Sequence, residues 1–166
     1  MRGDPAIQDL LNEVLTNELT AVNQYFLHAR MFEDWGFAHL GRIVYEESIG
    51  EMKHADRLVK RLLFLKKLPN LQDLHKLSIG ENVRECLEAD LQLELNGRAK
   101  MIEGIALCER SADYVSRDIL TDILKDTEQH IDFLDTQLGL IQALGEQNYL
   151  QSAMHDIQTD NSATGG

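Results

Sequence analysis

The strongest constraint on the fold is the recurrence of apolar residues every three or four positions along four long segments. This spacing places the apolar side chains on one face of an α-helix. The first helix is predicted to begin at Asp4-Pro5, a capping residue followed by a proline suited to the first turn, and to end near Gly36. Its apolar face carries one glutamate, Glu18, among the residues Ile7, Leu11, Val14, Val22, Tyr25, Ala29 and Phe32.

Three further long helices and one short helix follow from the same pattern. The second is predicted over about residues 38–65. The third begins after Asn82, with Glu85 three positions on in a capping arrangement. The fourth spans about residues 115–144, where Gly145 ends it, and residues 148–154 predict a short fifth helix.

The connection between the second and third helices, residues 66–81, is unusually long. Adjacent antiparallel helices need only a few connecting residues. This connection is therefore expected to run the length of a bundle and to join two parallel helices. The predicted fold is all-α, a four-helix bundle with a long crossover between helices 2 and 3 and a short C-terminal fifth helix. Residues 1–155 are predicted to form one domain, followed by a flexible tail, residues 156–166.

Charge and composition narrow the class of partner. The net charge of −12 makes nucleic-acid binding unfavourable and would attract cations, although it also serves solubility. Cys86 and Cys108 are 22 positions apart in one predicted helix, too far to bridge each other. Free thiols, the lack of a long apolar run and the lack of a signal-peptide core together predict a cytoplasmic protein without a membrane span.

Each long helix also carries a polar anomaly near its middle. These residues are Glu18, Glu51 with His54, Glu94, and His130. Glu51 and His54 are three positions apart and project from one face of the second helix. Where the helix midpoints meet, three carboxylates and two imidazoles would converge in a dry region. Because isolated buried carboxylates are costly, a divalent cation such as iron, manganese or zinc is the arrangement that satisfies every group.

The sequence resembles the bacterioferritin family over about residues 1–154. The resemblance rests on MRGDPAIQDLLNEVLTNELTAVNQYF at the start, EESIGEMKHADRL and LPNLQDL in the middle, and DYVSRDIL followed by HIDFLDTQLGLIQALGEQNYLQ near the end. The resemblance implies a ferritin-like bundle, a shell of twenty-four subunits, storage of iron as a ferric mineral and a ferroxidase di-iron site. Glu18 and His54 would bind one iron, Glu94 and His130 the other, and Glu51 would bridge them.

The resemblance also assigns a haem. Met52 would be an axial ligand of haem b, with one methionine from each of two subunits. By helix geometry, Met52 lies about 100° around the helix from Glu51 and so faces another surface. Without the resemblance, a methionine on a helix more often fills a core or an interface than binds a cofactor. A small electron-donor protein is a further expected partner, and a mixed shell with a second bacterioferritin subunit is the alternative to a shell of this chain alone.

Two departures from the family pattern bear on activity. Thr127 stands where the family has a second bridging glutamate, and Glu128 beside it points about 100° away. We therefore expect weaker binding of the second metal and slower or uncoupled oxidation. The family can also carry a histidine and an aspartate as an inner-surface iron site, where this chain has Glu46 and Gly50.

Four readings of the sequence remain open at this stage. The first is an iron-storage subunit with its own ferroxidase activity. The second is a haem-binding structural subunit with an impaired site that co-assembles with a catalytic partner. The third is a non-storage di-iron oxidase or peroxide scavenger, and the last is a bundle that binds no metal.

Overall fold

The computed structural model describes residues 1–154, most of which lie in helices. The elements are α1 (Pro5–Asp34), α2 (Ala38–Phe64), α3 (Val83–Arg110), α4 (Tyr114–Leu144) and α5 (Glu146–Ser152). No strand occurs among residues 1–154. The predicted all-α fold, with four long helices and a short fifth, is confirmed. The predicted tail, residues 156–166, and residue 155 of the predicted domain lie outside the described residues.

The helix ends lie where capping chemistry predicts them. A carboxylate oxygen of Asp4 accepts a hydrogen bond from the backbone N–H of Ala6 at 2.8 Å, and Pro5 occupies the first turn of α1. The side chain of Asn82 accepts one from the N–H of Glu85 at 2.9 Å and begins α3. Each cap satisfies a backbone donor that has no partner within the helix.

The fifth helix differs from the prediction by two residues at each end. It spans Glu146–Ser152, whereas residues 148–154 were predicted. Gly145 explains the shift, because its φ of +82° is a conformation that glycine adopts readily. The chain therefore turns within one residue, and α5 begins at once with Glu146 close to the positive end of the helix dipole.

The long connection lies along α1 and determines the topology. The carbonyl of Leu68 accepts a hydrogen bond from Asn12, near the start of α1, and the N–H of Gly80 donates to His28, near its end. The connection therefore runs back from the end of α2 to the level of its beginning. This path makes α2 and α3 parallel, as the length of the connection predicted.

A buried polar network anchors the end of this crossover. His28 and Gln24 both contact the carboxylate of Asp90 on α3, each at 2.8 Å, and all three side chains are buried. Gln24 also accepts a hydrogen bond from the N–H of Ser78 on the crossover. The network fixes the crossover against α1 and α3, and it was not predicted from the sequence.

The hydrophobic core is divided into two clusters. In α1, residues 7–19 contribute to one cluster and residues 21–32 to the other. The other long helices divide in the same way, with a short stretch of each between its two apolar groups. Glu51, His54, Glu94 and His130 fall in these stretches, and Glu18 lies two residues before the boundary between the two clusters in α1. The bundle therefore has a polar layer between two apolar cores.

Two further expectations can be compared with the described residues. Cys86 and Cys108 are both buried, free thiols on α3, so the prediction that they do not bridge each other is confirmed. Burial raises the pKa of the Cys86 thiol to about 12, which makes it a poor nucleophile. Across residues 1–154, every helix falls short of the length and apolarity that a membrane crossing requires.

Candidate metal centre

The polar layer brings together all five side chains that interrupt the apolar faces. Each is nearly inaccessible to solvent: Glu18 is 2% exposed, Glu51 3%, His54 8%, Glu94 4% and His130 4%. They come from all four long helices, with α2 supplying two. Burying so many ionisable groups is costly unless they are paired or bind metal.

The five residues form two overlapping groups of three. Glu18, Glu51 and His54 make one group, and the other consists of Glu51, Glu94 and His130. In each group, one ligand atom from each residue lies within 4.8 Å of the others. The shared Glu51 lies between the two. Oxygen and imidazole donors in this number fit a pair of ions such as iron, manganese or zinc.

His54 is oriented by carboxylates on both sides of its ring. Its Nδ1 lies 3.2 Å from Oε2 of Glu18 and 3.3 Å from Oε2 of Glu51. Its Nε2 lies 2.8 Å from a carboxylate oxygen of Asp126 on α4. A histidine whose second nitrogen is held by a carboxylate is the usual arrangement at metal sites. Asp126 was not predicted as a site residue, although it precedes His130 by four residues and so shares its face.

The pKa values of Glu18 and His54 are both raised, so each of these two side chains tends to hold a proton. Burial raises the pKa of Glu18 to about 6, despite the opposing attraction of His54. Burial alone would lower the pKa of His54, but the carboxylates of Glu18 and Asp126 raise it to about 8. At neutral pH the pair therefore holds a proton, which a bound cation would displace.

The other half of the centre contains a nitrogen without a hydrogen-bond partner. Nδ1 of His130 lies 3.1 Å from Oε1 of Glu94, but the two atoms are not aligned for a hydrogen bond. It is the buried side-chain atom that stays unpaired among the described residues. Buried polar atoms without a hydrogen-bond partner are rare in folded proteins, and a nitrogen that serves as a metal ligand accounts for this one.

Tyr25 contacts the same carboxylate from α1. Its hydroxyl donates a hydrogen bond to Oε1 of Glu94, and its ring makes an edge contact with His130, with centroids 5.3 Å apart. Burial, together with the charge of Glu94, keeps the tyrosine pKa well above its usual range, so the phenol remains a donor. Tyr25 was missed as a site residue, although it follows Glu18 by seven positions on the same face of α1.

Thr127 lies at the depth of the centre without joining either group of ligands. It is 1% exposed, and its hydroxyl lies 4.0 Å from the sulfur of Met101. Glu128 points away from the centre, as its helix position predicted. Its carboxylate is on the protein surface, 3.2 Å from Nε of Arg98. Neither residue therefore supplies a second bridging carboxylate.

A cavity of about 280 Å³ opens beside the centre and carries further acidic groups. It is lined by residues of α2 and α4, among them Glu46, Glu47, Gly50 and Asp126. Glu46 is exposed, and Gly50 adds no ligand. The two positions of the inner-surface site, Glu46 and Gly50, therefore both line this cavity.

Met52 lies outside the centre on the surface of α2, as its position relative to Glu51 predicted. Its side chain is 48% exposed. Ile49, three positions before it, is 41% exposed, and Phe26 of α1 is 48% exposed. Met52 therefore lies on the protein surface, whereas the ligand groups of the metal centre are buried.

Comparisons with known proteins agree with this architecture. A family model described as the ferritin-like domain matches residues 8–144. The chain is 50% identical over 155 residues to the bacterial ferritin of Pseudomonas aeruginosa, covering 92% of this chain and 99% of that protein. It is 48% identical over 151 residues to the bacterioferritin of Brucella melitensis, covering 91% and 94%. Similarity to the bacterioferritin of Streptomyces coelicolor, at 42% identity, extends over 99% of both chains.

Proposed function

The chain belongs to the ferritin family and, within it, to the bacterioferritins, and on that premise we propose that it stores iron and oxidises it. Fe(II) is the substrate of the buried centre, and Fe(III) is the stored product. The observation that carries the proposal is the pair of overlapping ligand groups that share Glu51. A structural role alone does not explain five buried ionisable side chains around an unpaired imidazole nitrogen.

The residues divide into two metal positions with one bridge. Glu18 and His54 hold one Fe(II), Glu94 and His130 hold the other, and Glu51 contacts both. Asp126 orients His54 through its second nitrogen, and Tyr25 orients Glu94. Each Fe(II) loses one electron, and the two electrons with two protons reduce O₂ to H₂O₂, or H₂O₂ to two waters.

Storage requires a closed assembly, for which we propose the twenty-four-subunit shell of the family. Apolar residues exposed on the single chain support burial against other copies. They include Phe26, Ile49, Met52, Leu63, Phe64, Leu68 and Leu71, each at least 41% exposed. A reducing, cytoplasmic location agrees with two buried free cysteines.

Met52 is proposed as an axial ligand of haem b between two copies of the chain. The thioether fits this role because it is accessible, and the exposed Ile49 three positions before it lies on the same side of α2. Each chain contributes its own Met52, so the second axial sulfur would come from Met52 of a second copy. Haem bound there would provide electron transfer, and a small donor protein would reduce it.

A second candidate function is favoured by Thr127. A subunit whose centre lacks one bridging carboxylate could serve as a haem-binding part of a mixed shell with a catalytic partner subunit. The threonine hydroxyl contacts the sulfur of Met101 and supplies no carboxylate to the centre, which supports this alternative. Shells isolated from the native host distinguish the two, because a shell of this chain alone contradicts the mixed assembly.

The test of the primary proposal is iron loading by the purified full-length chain. Fe(II) is added in air, and the iron retained per chain is measured after separation by size. We expect a large assembly that retains a ferric core, and Glu51→Ala should lose the rapid phase of oxidation. Glu128→Gln is the matched control, because it alters a surface carboxylate on α4. A wild-type chain that neither oxidises nor retains iron would overturn the proposal.

A further inference from the structure

We propose that Glu47 supplies the carboxylate that position 127 lacks, as an additional ligand of the metal ion held by Glu94 and His130. The inference rests on the proposed function, because it assigns a ligand to the second metal position of the same centre. It gives the second metal position a further carboxylate despite Thr127, although not one that bridges the two ions.

The position of Glu47 on α2 directs it toward the centre. It precedes Glu51 by four residues, so the two carboxylates lie on the same side of the helix. Oε2 of Glu47 is 3.7 Å from Nδ1 of His130, across the boundary between α2 and α4. Two ligand atoms that are each about 2.1 Å from one ion lie roughly 3 to 4 Å apart. The observed separation is therefore compatible with both atoms binding one ion.

The imidazole nitrogen that Glu47 approaches is the unpaired one. Nδ1 of His130 has no hydrogen-bond partner, and the residue is only 4% exposed. At 3.7 Å the carboxylate of Glu47 is too distant to pair with it directly. A metal ion between the two side chains would bind both the carboxylate of Glu47 and Nδ1 of His130. A shared proton would not, because 3.7 Å is too long for a hydrogen bond.

Charge balance supports the same conclusion. The two ligand groups contain three carboxylates, Glu18, Glu51 and Glu94, against the four positive charges of two Fe(II) ions. Glu47 restores a fourth negative charge. Its side chain is 37% exposed and lies 3.7 Å from His130, so this charge is adjacent to the second metal position without being fully buried.

The other acidic residues near the cavity are less suited to this role. Asp126 is already held by Nε2 of His54 at 2.8 Å, and its side chain is 62% exposed. Glu46 is one residue from Glu47, which turns it about 100° around α2, and it is exposed. Glu47 combines partial burial with a direct approach to the unpaired nitrogen.

The experiment is a Co(II) titration of the purified full-length chain, read from the visible absorption of the bound ion. Wild type, Glu47→Gln, Thr127→Glu and the double variant form a thermodynamic cycle. Glu46→Gln separates loss of a ligand from loss of a nearby charge, and Glu128→Gln is the control for a surface carboxylate. Circular dichroism confirms that each variant is folded.

We expect wild type to bind two Co(II) ions per chain and Glu47→Gln to bind the second at least about 10-fold more weakly. In the Thr127→Glu background, Glu47→Gln should change the affinity for the second Co(II) ion by less than about 3-fold, because the glutamate at position 127 replaces Glu47 as a ligand. The inference is overturned if Glu47→Gln binds the second Co(II) ion with wild-type affinity, or if Glu46→Gln weakens that binding as much as Glu47→Gln does. It is also overturned if Glu47→Gln weakens that binding equally in the wild-type and Thr127→Glu backgrounds. Those results leave the proposed function intact if wild type still loads iron. A wild-type chain that binds no second Co(II) ion overturns the inference, and failure to load iron as well overturns both.

Discussion

The hydroxyl of Thr127 lies 4.0 Å from the sulfur of Met101, at the boundary between the metal centre and an apolar core cluster. Thr127 is on α4 and is almost completely buried, so its hydroxyl has no access to bulk water. A thioether is a weak hydrogen-bond acceptor. The position at which the family resemblance implies a bridging glutamate therefore contacts the apolar core in this chain.

Restoring the glutamate should accelerate iron oxidation. In stopped-flow experiments at two Fe(II) ions per chain, we expect wild type to show a rapid phase and Thr127→Glu to increase its rate about 10-fold or more, within the range that single catalytic groups contribute. The reason is tighter binding of the second ion by a buried bridging carboxylate. Thr127→Val, which removes the hydroxyl and keeps the shape, should oxidise iron at the wild-type rate. A rate that does not respond to the glutamate would show that position 127 is tolerant.

The same substitution should destabilise the metal-free protein. A glutamate at position 127 adds a fourth buried carboxylate to those of Glu18, Glu51 and Glu94 and replaces the contact between the threonine hydroxyl and the sulfur of Met101. We expect the free energy of unfolding without metal to fall by about 1–3 kcal/mol, measured by urea denaturation. Zn(II) in excess should reverse the loss, because a ligand of the native state stabilises it by mass action. A Thr127→Glu variant that is more stable than wild type without metal would contradict this account.

Met52→Leu should abolish haem binding and leave iron oxidation unchanged. The thioether is the proposed axial ligand, and leucine keeps the apolar surface while removing the sulfur. Haem titration followed by Soret absorption measures the first effect, and stopped-flow oxidation measures the second. Met154→Leu is a matched control, since Met154 is 47% exposed and Met52 48%. Equal haem binding by Met52→Leu and wild type would rule out the assignment.

Asp113 should make stability depend on acidic pH. It caps α4 by accepting a hydrogen bond from the N–H of Ser116 at 3.0 Å, and it pairs with Arg61 of α2 at 2.7 Å. Burial alone would raise its pKa, but the bonds from Ser116 and the charge of Arg61 outweigh burial and lower it. A carboxylate with a lowered folded pKa stabilises the protein above its unfolded pKa, about 3.9, and the contribution disappears as pH falls through the folded value.

The matching experiment compares wild type with Asp113→Ala and Asp113→Asn by chemical denaturation. At pH 7 we expect Asp113→Ala to lose about 2 kcal/mol, and Asp113→Asn to lose less, because asparagine also caps helices. Both differences should be constant between pH 5 and 7 and should shrink below about pH 4. A difference that grows with acidity would have the wrong sign.

Gly104 and Gly139 should respond oppositely to alanine. A Cβ on Gly104 would lie 2.2 Å from a methyl carbon of Leu10 and 2.9 Å from one of Leu120, where α3 packs against the core. We expect Gly104→Ala to cost about 1–3 kcal/mol through overpacking. Gly139 has nothing within 4 Å, so Gly139→Ala should stabilise α4 by about 0.5–1 kcal/mol. Thermal unfolding of both variants provides the comparison, and a stabilised Gly104→Ala would contradict the packing.

Much of the architecture is encoded locally. The spacing of apolar residues determined the four long helices, because a helix that buries one face needs that period whatever it packs against. Asp4, Asn82 and Gly145 marked helix ends through hydrogen bonds or backbone conformations within a few residues. The length of residues 66–81 was enough to predict parallel neighbours. Glu18, Glu51, His54, Glu94 and His130 could be singled out because each interrupts an otherwise apolar face.

Only the tertiary structure decided which side chains are in contact and how those contacts shift their pKa values. Asp126 and Glu47 read as ordinary charged residues in the sequence, and they become relevant through distances to His54 and His130 on another helix. The roles of His28 and Asp90 depend on where the crossover ends. The unpaired nitrogen of His130 and the direction of the Thr127 hydroxyl depend on rotation about side-chain bonds inside the packed layer. These features depend on contacts between residues distant in sequence, and a periodic pattern along one helix carries no information about the angle at which its neighbour presents a side chain.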